Sequence, residues 1–124
     1  MRRQIRLIAF ALTALLFTSA CTPEELALYL TATSEVRDVL DANDLYRLRY
    51  CESTDNYKAV SSSGSFRGAY QFNQTTWDGV AARFFPWLVG RDPATVEAWW
   101  QDAMARALWS ERGKQPWPIC GNRV

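Results

Sequence analysis

Histidine is absent from this chain of 124 residues. Its absence excludes every nucleophilic site that needs an imidazole base. The three cysteines lie far apart with no histidine near them, so the sequence predicts no metal site. A formal net charge of +1 leaves no excess of basic residues, which argues against nucleic-acid binding. Any catalysis must therefore depend on carboxylates, hydroxyls, amides, lysine or arginine.

The chain also lacks an apolar run that would comfortably span a membrane, which needs about 20 residues. Its first six residues instead contain three arginines, followed by an apolar stretch over 7–17 and small residues at 18–20. This order is typical of a secretory signal. Residues 1–20 are therefore predicted to be a signal peptide, with a retained anchor helix as the alternative. The protein is expected to be secreted or held in the cell envelope.

Cys21 comes directly after these small residues. Small residues before a cysteine resemble a bacterial lipoprotein signal, although Thr18 stands where that signal usually has leucine. We therefore predict that Cys21 carries lipid and anchors the chain to the outer face of the cytoplasmic membrane. Ordinary cleavage nearby, which would leave Cys21 free or remove it, is the alternative. Lipidation of Cys21 would leave Cys51 and Cys120 to pair in an oxidising compartment.

The remainder of the chain divides into a spacer and one domain. Thr22, Pro23 and Glu25 are typical of a helix start, with threonine as the cap and proline in the first turn. The apolar residues that follow do not form a clean helical stripe, so 21–43 is interpreted as a partly helical spacer. A single globular domain is predicted over 44–124. It is small for a self-sufficient core and is expected to be a monomer.

Within that domain the patterns predict a mostly helical α+β fold with a short β element. Short strands near 58–60 and 66–67 flank a loop rich in serine and glycine. Three helices are predicted. Asp44 is expected to cap one that runs through Cys51, the second covers 71–83, and Asp92 is expected to cap the third, which runs to about Glu111 and is stopped by Gly113.

The pair Cys51-Glu52 stands at the end of the first of these helices. Cys120, near the far end of the chain, is a candidate partner for Cys51. A bridge between them would close a loop of roughly 70 residues and remove about 4 kcal/mol of unfolded-state freedom. An acid fixed beside such a bridge is more typical of a catalytic group than of a surface charge.

Several motifs resemble one known family, the transglycosylase-like domain of resuscitation-promoting factors, which are muralytic cell-wall proteins of actinobacteria. The resemblance covers about 44–121 and implies a small lysozyme-like fold. It also implies a Cys51–Cys120 disulfide, Glu52 as the catalytic acid, and Gln71 and Thr76 as polar residues of the substrate cleft. The matching motifs are Tyr50-Cys51-Glu52-Ser53, Asn56-Tyr57, Gly68-Ala69-Tyr70-Gln71-Phe72, Thr75-Thr76-Trp77 and Trp117-Pro118-Ile119-Cys120.

Three aromatic residues are further candidates for the substrate site. Tyr70, Phe72 and Trp77 would form an apolar wall if they face Glu52, and desolvation by that wall would keep the acid protonated. For Trp77 a place in the core is favoured over a sugar platform. Each of the polar cleft candidates also has a structural alternative, a satisfied core amide for Gln71 and a helix residue bonded to backbone for Thr76.

The sequence departs from the family directly after Glu52. The family usually has two glycines after Cys-Glu-Ser, whereas this chain has Thr54 and Asp55. If the turn needs positive φ, Thr54 is unfavourable there and Asp55 is tolerated better. Asp55 is also the candidate for a second catalytic carboxylate, although a role in turn geometry is favoured for it.

These features predict a muralytic enzyme that cleaves the β-1,4 glycosidic bond of peptidoglycan, as a lytic transglycosylase or a muramidase, with Glu52 as general acid and no cofactor. The expected partners are the glycan strand and, by the family resemblance, a peptidoglycan peptidase. Two alternatives stay open. One is a non-catalytic peptidoglycan-binding lipoprotein, and the other is a growth-restarting cell-wall factor for which bulk lysis matters little.

Overall fold

The computed structural model describes residues 21–124, so the predicted signal peptide over 1–20 lies outside the described residues. The described part is mostly helical. Two short 3-10 helices, Pro86–Leu88 and Cys120–Arg123, accompany four α-helices. The α-helices are α1 (Pro23–Ala32), α2 (Ala42–Ser53), α3 (Gln74–Phe84) and α4 (Ala98–Arg112).

The first helix begins where the sequence predicts. The Thr22 hydroxyl accepts from the backbone N–H of Glu25, and the Glu25 carboxylate accepts from the N–H of Thr22. This reciprocal capping box satisfies two amide groups that the helix leaves free. No residue of α1 is buried. Within residues 21–124 no helix has both the length and the apolar character to cross a membrane.

The segment between α1 and α2 packs against the domain. Val36 and Leu40 are almost completely buried in the core. Tyr29 of α1 meets Trp100 of α4 edge to face, with ring centroids 5.3 Å apart. Part of the predicted spacer therefore contributes to the hydrophobic core.

The second helix begins earlier than predicted. Its cap is Asp41, whose carboxylate accepts from the backbone N–H of Asp44. Asp44 is the third residue of the helix and its carboxylate accepts from the N–H of Asp41. The prediction of Asp44 as the cap is thus wrong, because a second acid three residues upstream completes a capping box. The helix buries Leu45 and Leu48 and ends directly after Glu52.

The third helix begins at Gln74, three residues after the predicted start at Gln71. The Asn73 side chain caps it by accepting from the backbone N–H of Thr76. Gln71 has a φ of 53°, a left-handed conformation that an α-helix cannot contain. The helix buries its apolar face against the core and ends at Phe84, and the non-helical Phe85 separates it from the 3-10 helix Pro86–Leu88.

The fourth helix begins at Ala98, not at Asp92 as predicted. The Asp92 carboxylate accepts from the backbone N–H of Ala94 and also pairs with Arg67, which fixes a turn instead of a helix start. The predicted stop at Gly113 is confirmed, with a φ of 56° there. Seven residues of α4 are buried, which makes it the central helix of the fold.

The β element is reduced to two antiparallel bridges in residues 21–124, Val60 with Arg67 and Arg67 with Phe72. Cys51 and Cys120 form a disulfide across 69 positions, with Cα atoms 5.6 Å apart. The predicted fold class is confirmed: a mostly helical chain with few bridges and one disulfide, consistent with a small lysozyme-like α+β fold.

Candidate active site

A groove runs along the domain beside the end of α2. It consists of two adjoining cavities of about 420 and 610 Å³. Glu52 lines the larger cavity, while Asn73, Thr76 and Arg112 line the smaller one. The two cavities share five lining residues, Phe66, Gln71, Pro116, Trp117 and Pro118.

Glu52 reaches this groove from the last turn of α2. Its side chain is half-buried and makes no hydrogen bond or ion pair with any residue in 21–124. Burial raises the pKa of its carboxyl above the ordinary value of 4.5, because desolvation disfavours the charged form. The arrangement provides a carboxylic acid that holds its proton to higher pH than an exposed glutamate does.

Gln71 lies on the wall that the two cavities share. Its left-handed backbone is held by a tight turn in which its own N–H and its side-chain Nε2 both donate to the Gly68 carbonyl, at 3.2 and 3.0 Å. Strained backbone held by its surroundings is found most often at functional sites. Thr76 lines the smaller cavity from the first turn of α3, and Asn73 caps its backbone N–H.

The three aromatic candidates occupy different positions. Tyr70 and Phe72 are buried, and both line the smaller cavity as its floor. Trp77 is completely buried, and its indole N–H donates to the Leu88 carbonyl at 2.9 Å. It packs edge to face on Phe72 and lines neither cavity. Trp77 is therefore a core residue that is not positioned to contact a ligand in the groove, which corrects its inclusion among the substrate contacts.

The turn after Glu52 has the conformation that two glycines would favour. Thr54 and Asp55 both have positive φ, 57° and 61°. The Asp55 carboxylate accepts from the Nε of Arg49 at 2.7 Å and lines neither cavity. Asp55 is therefore not positioned as a second carboxylate facing the groove.

Several residues of the groove were not predicted as site residues from the sequence. Arg112 lies in the last turn of α4, and only the packing of that helix brings it near Thr76. Phe66 and Ile119 are apolar yet 46% and 76% exposed, and they line the groove on the Glu52 side. Exposed apolar side chains beside a cleft are typical of a ligand-binding surface. Within residues 21–124 no cluster of acidic, cysteine or histidine side chains is arranged to hold a metal ion.

Comparison with known proteins agrees with this geometry. The family profile described as transglycosylase-like domain matches residues 40–120, which include Glu52, Gln71 and Cys120. The chain belongs to the transglycosylase-like domain family. The narrower resemblance to resuscitation-promoting factors stays a prediction.

Curated relatives are similar over part of the chain. Probable transglycosylase SceD of Staphylococcus carnosus (strain TM300) is 36% identical over 66 residues, 53% of this chain and 27% of the relative. Probable transglycosylases SceD 3 and SceD 1 of Staphylococcus saprophyticus are each 38% identical over 66 residues, 53% of this chain and 26% of each relative. The matched region thus spans about a quarter of the length of these curated relatives. No solved structure is a significant match.

Proposed function

We propose that this protein cleaves the β-1,4 glycosidic bond between N-acetylmuramic acid and N-acetylglucosamine in peptidoglycan, with Glu52 as the general acid. The observation that carries the proposal is the Glu52 carboxyl itself, half-buried in an open groove, without a partner in the described chain, and raised in pKa by burial. Membership of the transglycosylase-like family and the names of the relatives support this class of reaction.

The reaction begins with proton transfer from the Glu52 carboxyl to the glycosidic oxygen. The bond from that oxygen to the anomeric carbon breaks, and positive charge develops on the sugar ring as in other glycosidases. A general acid must be protonated at the working pH to contribute, and the typical contribution is about 10²- to 10⁴-fold in rate. The raised pKa of Glu52 fits that requirement.

Transglycosylation fits the groove better than hydrolysis. Hydrolases of the usual kind need two carboxylates, one on each side of the scissile bond. Glu52 is the only carboxylate among the described residues that line the groove, and Asp55 is paired with Arg49 outside it. In a single-acid reaction the 6-hydroxyl of the muramic acid residue attacks its own anomeric carbon. Its proton returns to the Glu52 carboxylate, and the product ends in a 1,6-anhydro sugar.

Mass analysis of digested peptidoglycan tests both the activity and its product. Wild type is expected to release fragments with 1,6-anhydro ends, and Glu52→Gln is expected to release about 100-fold less or none. Glu35→Gln is the matched control, because Glu35 is exposed and outside the groove. Fragments with reducing ends would indicate hydrolysis. Glycan binding without products in wild type would overturn the enzymatic proposal and favour a binding lipoprotein.

We also propose that the protein works as a monomer on the outer face of the cytoplasmic membrane, anchored through lipid on Cys21. Cys21 is exposed and lies outside the disulfide, directly before α1. The mass of the mature protein purified from its native membrane tests this. A diacylglycerol-modified N-terminal cysteine is expected, whereas cleavage without lipid would contradict the anchor.

Growth assays on dormant cells with wild type and Glu52→Gln separate a growth-restarting role from lysis.

A further inference from the structure

Three residues before Glu52 on α2, the guanidinium of Arg49 joins a cluster of polar side chains from separate parts of the fold. Its Nε donates to the Asp55 carboxylate at 2.7 Å, and its Nη1 donates to the Tyr70 hydroxyl at 3.2 Å. The same Nη1 lies 3.4 Å from the Asp102 carboxylate. Only 13% of the Arg49 side chain is exposed. We refer to Arg49, Asp55, Tyr57, Tyr70 and Asp102 as the Arg49 network.

Asp102 on α4 completes this network. One oxygen of its carboxylate accepts from the Tyr57 hydroxyl at 2.8 Å and from the Tyr70 hydroxyl. The Arg49 guanidinium also lies over the Tyr57 ring, 5.2 Å from its centroid. The network therefore joins α2, the loop after it, the Tyr70 segment and α4.

The charge states of Arg49 and of the two tyrosines follow from their surroundings. Burial alone lowers the pKa of Arg49, but its hydrogen bonds to Tyr70 and Asp55 outweigh burial, and the pKa lies above its ordinary value. Burial, reinforced by the Asp102 charge, raises the pKa values of Tyr57 and Tyr70. Arg49 is thus a permanent cation and both tyrosines are permanent hydroxyl donors. A partly buried, hydrogen-bonded cluster of this kind orients groups more strongly than an exposed ion pair does.

The turn that the network holds is conformationally unfavourable. Thr54 and Asp55 are both left-handed, and such residues persist only when their surroundings fix them. The Arg49–Asp55 pair provides that restraint directly. Ser53 adds a second contact, because its hydroxyl donates to the Ala69 carbonyl at 2.8 Å. The chain therefore leaves α2 in one fixed direction immediately after Glu52.

We propose, on the basis of the catalytic role assigned to Glu52 above, that Arg49 is a positioning residue which holds the Thr54–Asp55 turn and so aims the Glu52 carboxyl into the groove. Arg49 itself lines neither cavity of the groove. It acts through Asp55 on the helix end that carries the acid, and through Tyr70 on the adjacent Gln71, which lines both cavities. In this chain an ion pair holds non-glycine residues in a left-handed turn that glycines would adopt without strain.

The test compares Arg49→Lys in the wild-type chain with Arg49→Lys in a chain that also has glycine at positions 54 and 55, where the left-handed turn forms without strain. Lysine keeps the charge but lacks the planar set of donors that arginine offers. Arg49→Lys is expected to lower kcat roughly 10- to 100-fold with KM within about 2-fold, because small displacements of a reacting group have effects of that size. Adding Thr54→Gly and Asp55→Gly is expected to restore most of kcat. Arg47→Lys, on the same helix in an exposed pair with Asp44, is the matched control.

A second readout does not depend on activity. Carbon-13 NMR titration of the Glu52 carboxyl measures its pKa directly, and Arg49→Lys is expected to move that pKa back toward its ordinary value as the acid becomes more exposed. The glycine pair is expected to reverse this change. Should Arg49→Lys fail to fold, Asp55→Asn weakens the same bond and takes its place.

The outcomes separate the two proposals. Suppose that wild type releases no lytic products, but the Glu52 pKa changes in Arg49→Lys and returns when the glycine pair is added. The positioning role of Arg49 would then stand, and the enzymatic function would be overturned. If wild type is active but Arg49→Lys changes neither kcat nor the Glu52 pKa, the positioning role alone is overturned. Loss of activity in Arg49→Lys that the glycine pair does not rescue would also refute it, because the effect would not pass through the turn.

Discussion

The disulfide between Cys51 and Cys120 connects the helix end that carries Glu52 to the C-terminal segment that carries Ile119. Cys51 directly precedes Glu52, and Cys120 directly follows Ile119, which lines the same cavity. Their Cα atoms are 5.6 Å apart, although 69 positions separate them in the chain. A covalent bond therefore fixes the two lining segments that contain Glu52 and Ile119 relative to each other.

Removing this disulfide tests its contribution to stability. The paired change Cys51→Ser and Cys120→Ser is expected to lower the free energy of unfolding by about 4 kcal/mol, because the open chain regains the freedom of a long loop. Urea denaturation of the mature domain measures it. Cys21→Ser, which changes an exposed cysteine outside the disulfide, is the control and is expected to unfold like wild type. Equal stability of all three proteins would contradict a structural role for the bridge.

The raised pKa of Glu52 predicts that replacing its carboxyl with a neutral amide raises the free energy of unfolding, by an amount that depends on pH. The Glu52 carboxyl binds its proton more tightly in the folded protein than in the unfolded chain. At low pH it is protonated in both states and does not lower the free energy of unfolding. As pH rises through the folded pKa, the buried carboxylate becomes charged and the free energy of unfolding falls. Glu52→Gln should therefore match wild type near about pH 4 and be more stable near about pH 7. Chemical denaturation at both pH values measures the difference.

Glu35→Gln serves as the control for that experiment, since Glu35 is exposed. It is expected to show no comparable gain at neutral pH. A Glu52→Gln variant that is less stable than wild type at neutral pH would mean that the carboxylate is stabilised in the folded protein. Glu52 would then be a poor general acid.

Gly68 lies against the side chain of Gln101, which bonds the backbone of Ala69 two residues before Gln71. A Cβ at position 68 would be 2.6 Å from the Gln101 side-chain oxygen, which accepts from the Ala69 N–H at 2.9 Å. Gly68→Ala is therefore expected to lower the free energy of unfolding by about 1–3 kcal/mol more than Gly64→Ala. Gly64 is the matched control because its φ is also positive, 75° against 83°, while a Cβ added at position 64 would meet no atom within 4 Å. Thermal denaturation of both variants measures the difference, and equal losses would refute the steric argument.

Local signals in the sequence correctly predicted several features. The capping box at Thr22, the stop at Gly113 and the single disulfide are all confirmed. The cap and the stop depend on short patterns that long-range packing leaves unchanged, whereas the disulfide is the one that the family resemblance implied. The mostly helical fold class follows from them together with the family motifs.

Tertiary contacts decided the features that the sequence misplaced. The sequence around Asp92 is typical of a helix cap. Its carboxylate instead pairs with Arg67, which is 25 positions away in the chain, and α4 begins six residues after Asp92. Likewise the groove position of Arg112 depends on the packing of α4 against the rest of the domain, which no local pattern encodes. The family motifs placed Glu52 and Gln71 in one cleft, whereas propensities alone would have left Gln71 inside a helix.

Thr54 provides a direct measure of the strain beside the proposed acid. A left-handed conformation is unfavourable by roughly 1–2 kcal/mol for a residue with a Cβ, and glycine relieves this while gaining unfolded-state entropy. Thr54→Gly is therefore expected to raise the free energy of unfolding by about 0.5–1 kcal/mol. Thr75→Gly, in the first turn of α3, is the matched control, and there the same substitution is expected to lower it by about 0.3 kcal/mol. Denaturant titrations of the two variants give the signs. A loss of stability in Thr54→Gly would mean that the threonine side chain makes contacts that outweigh the strain of its backbone.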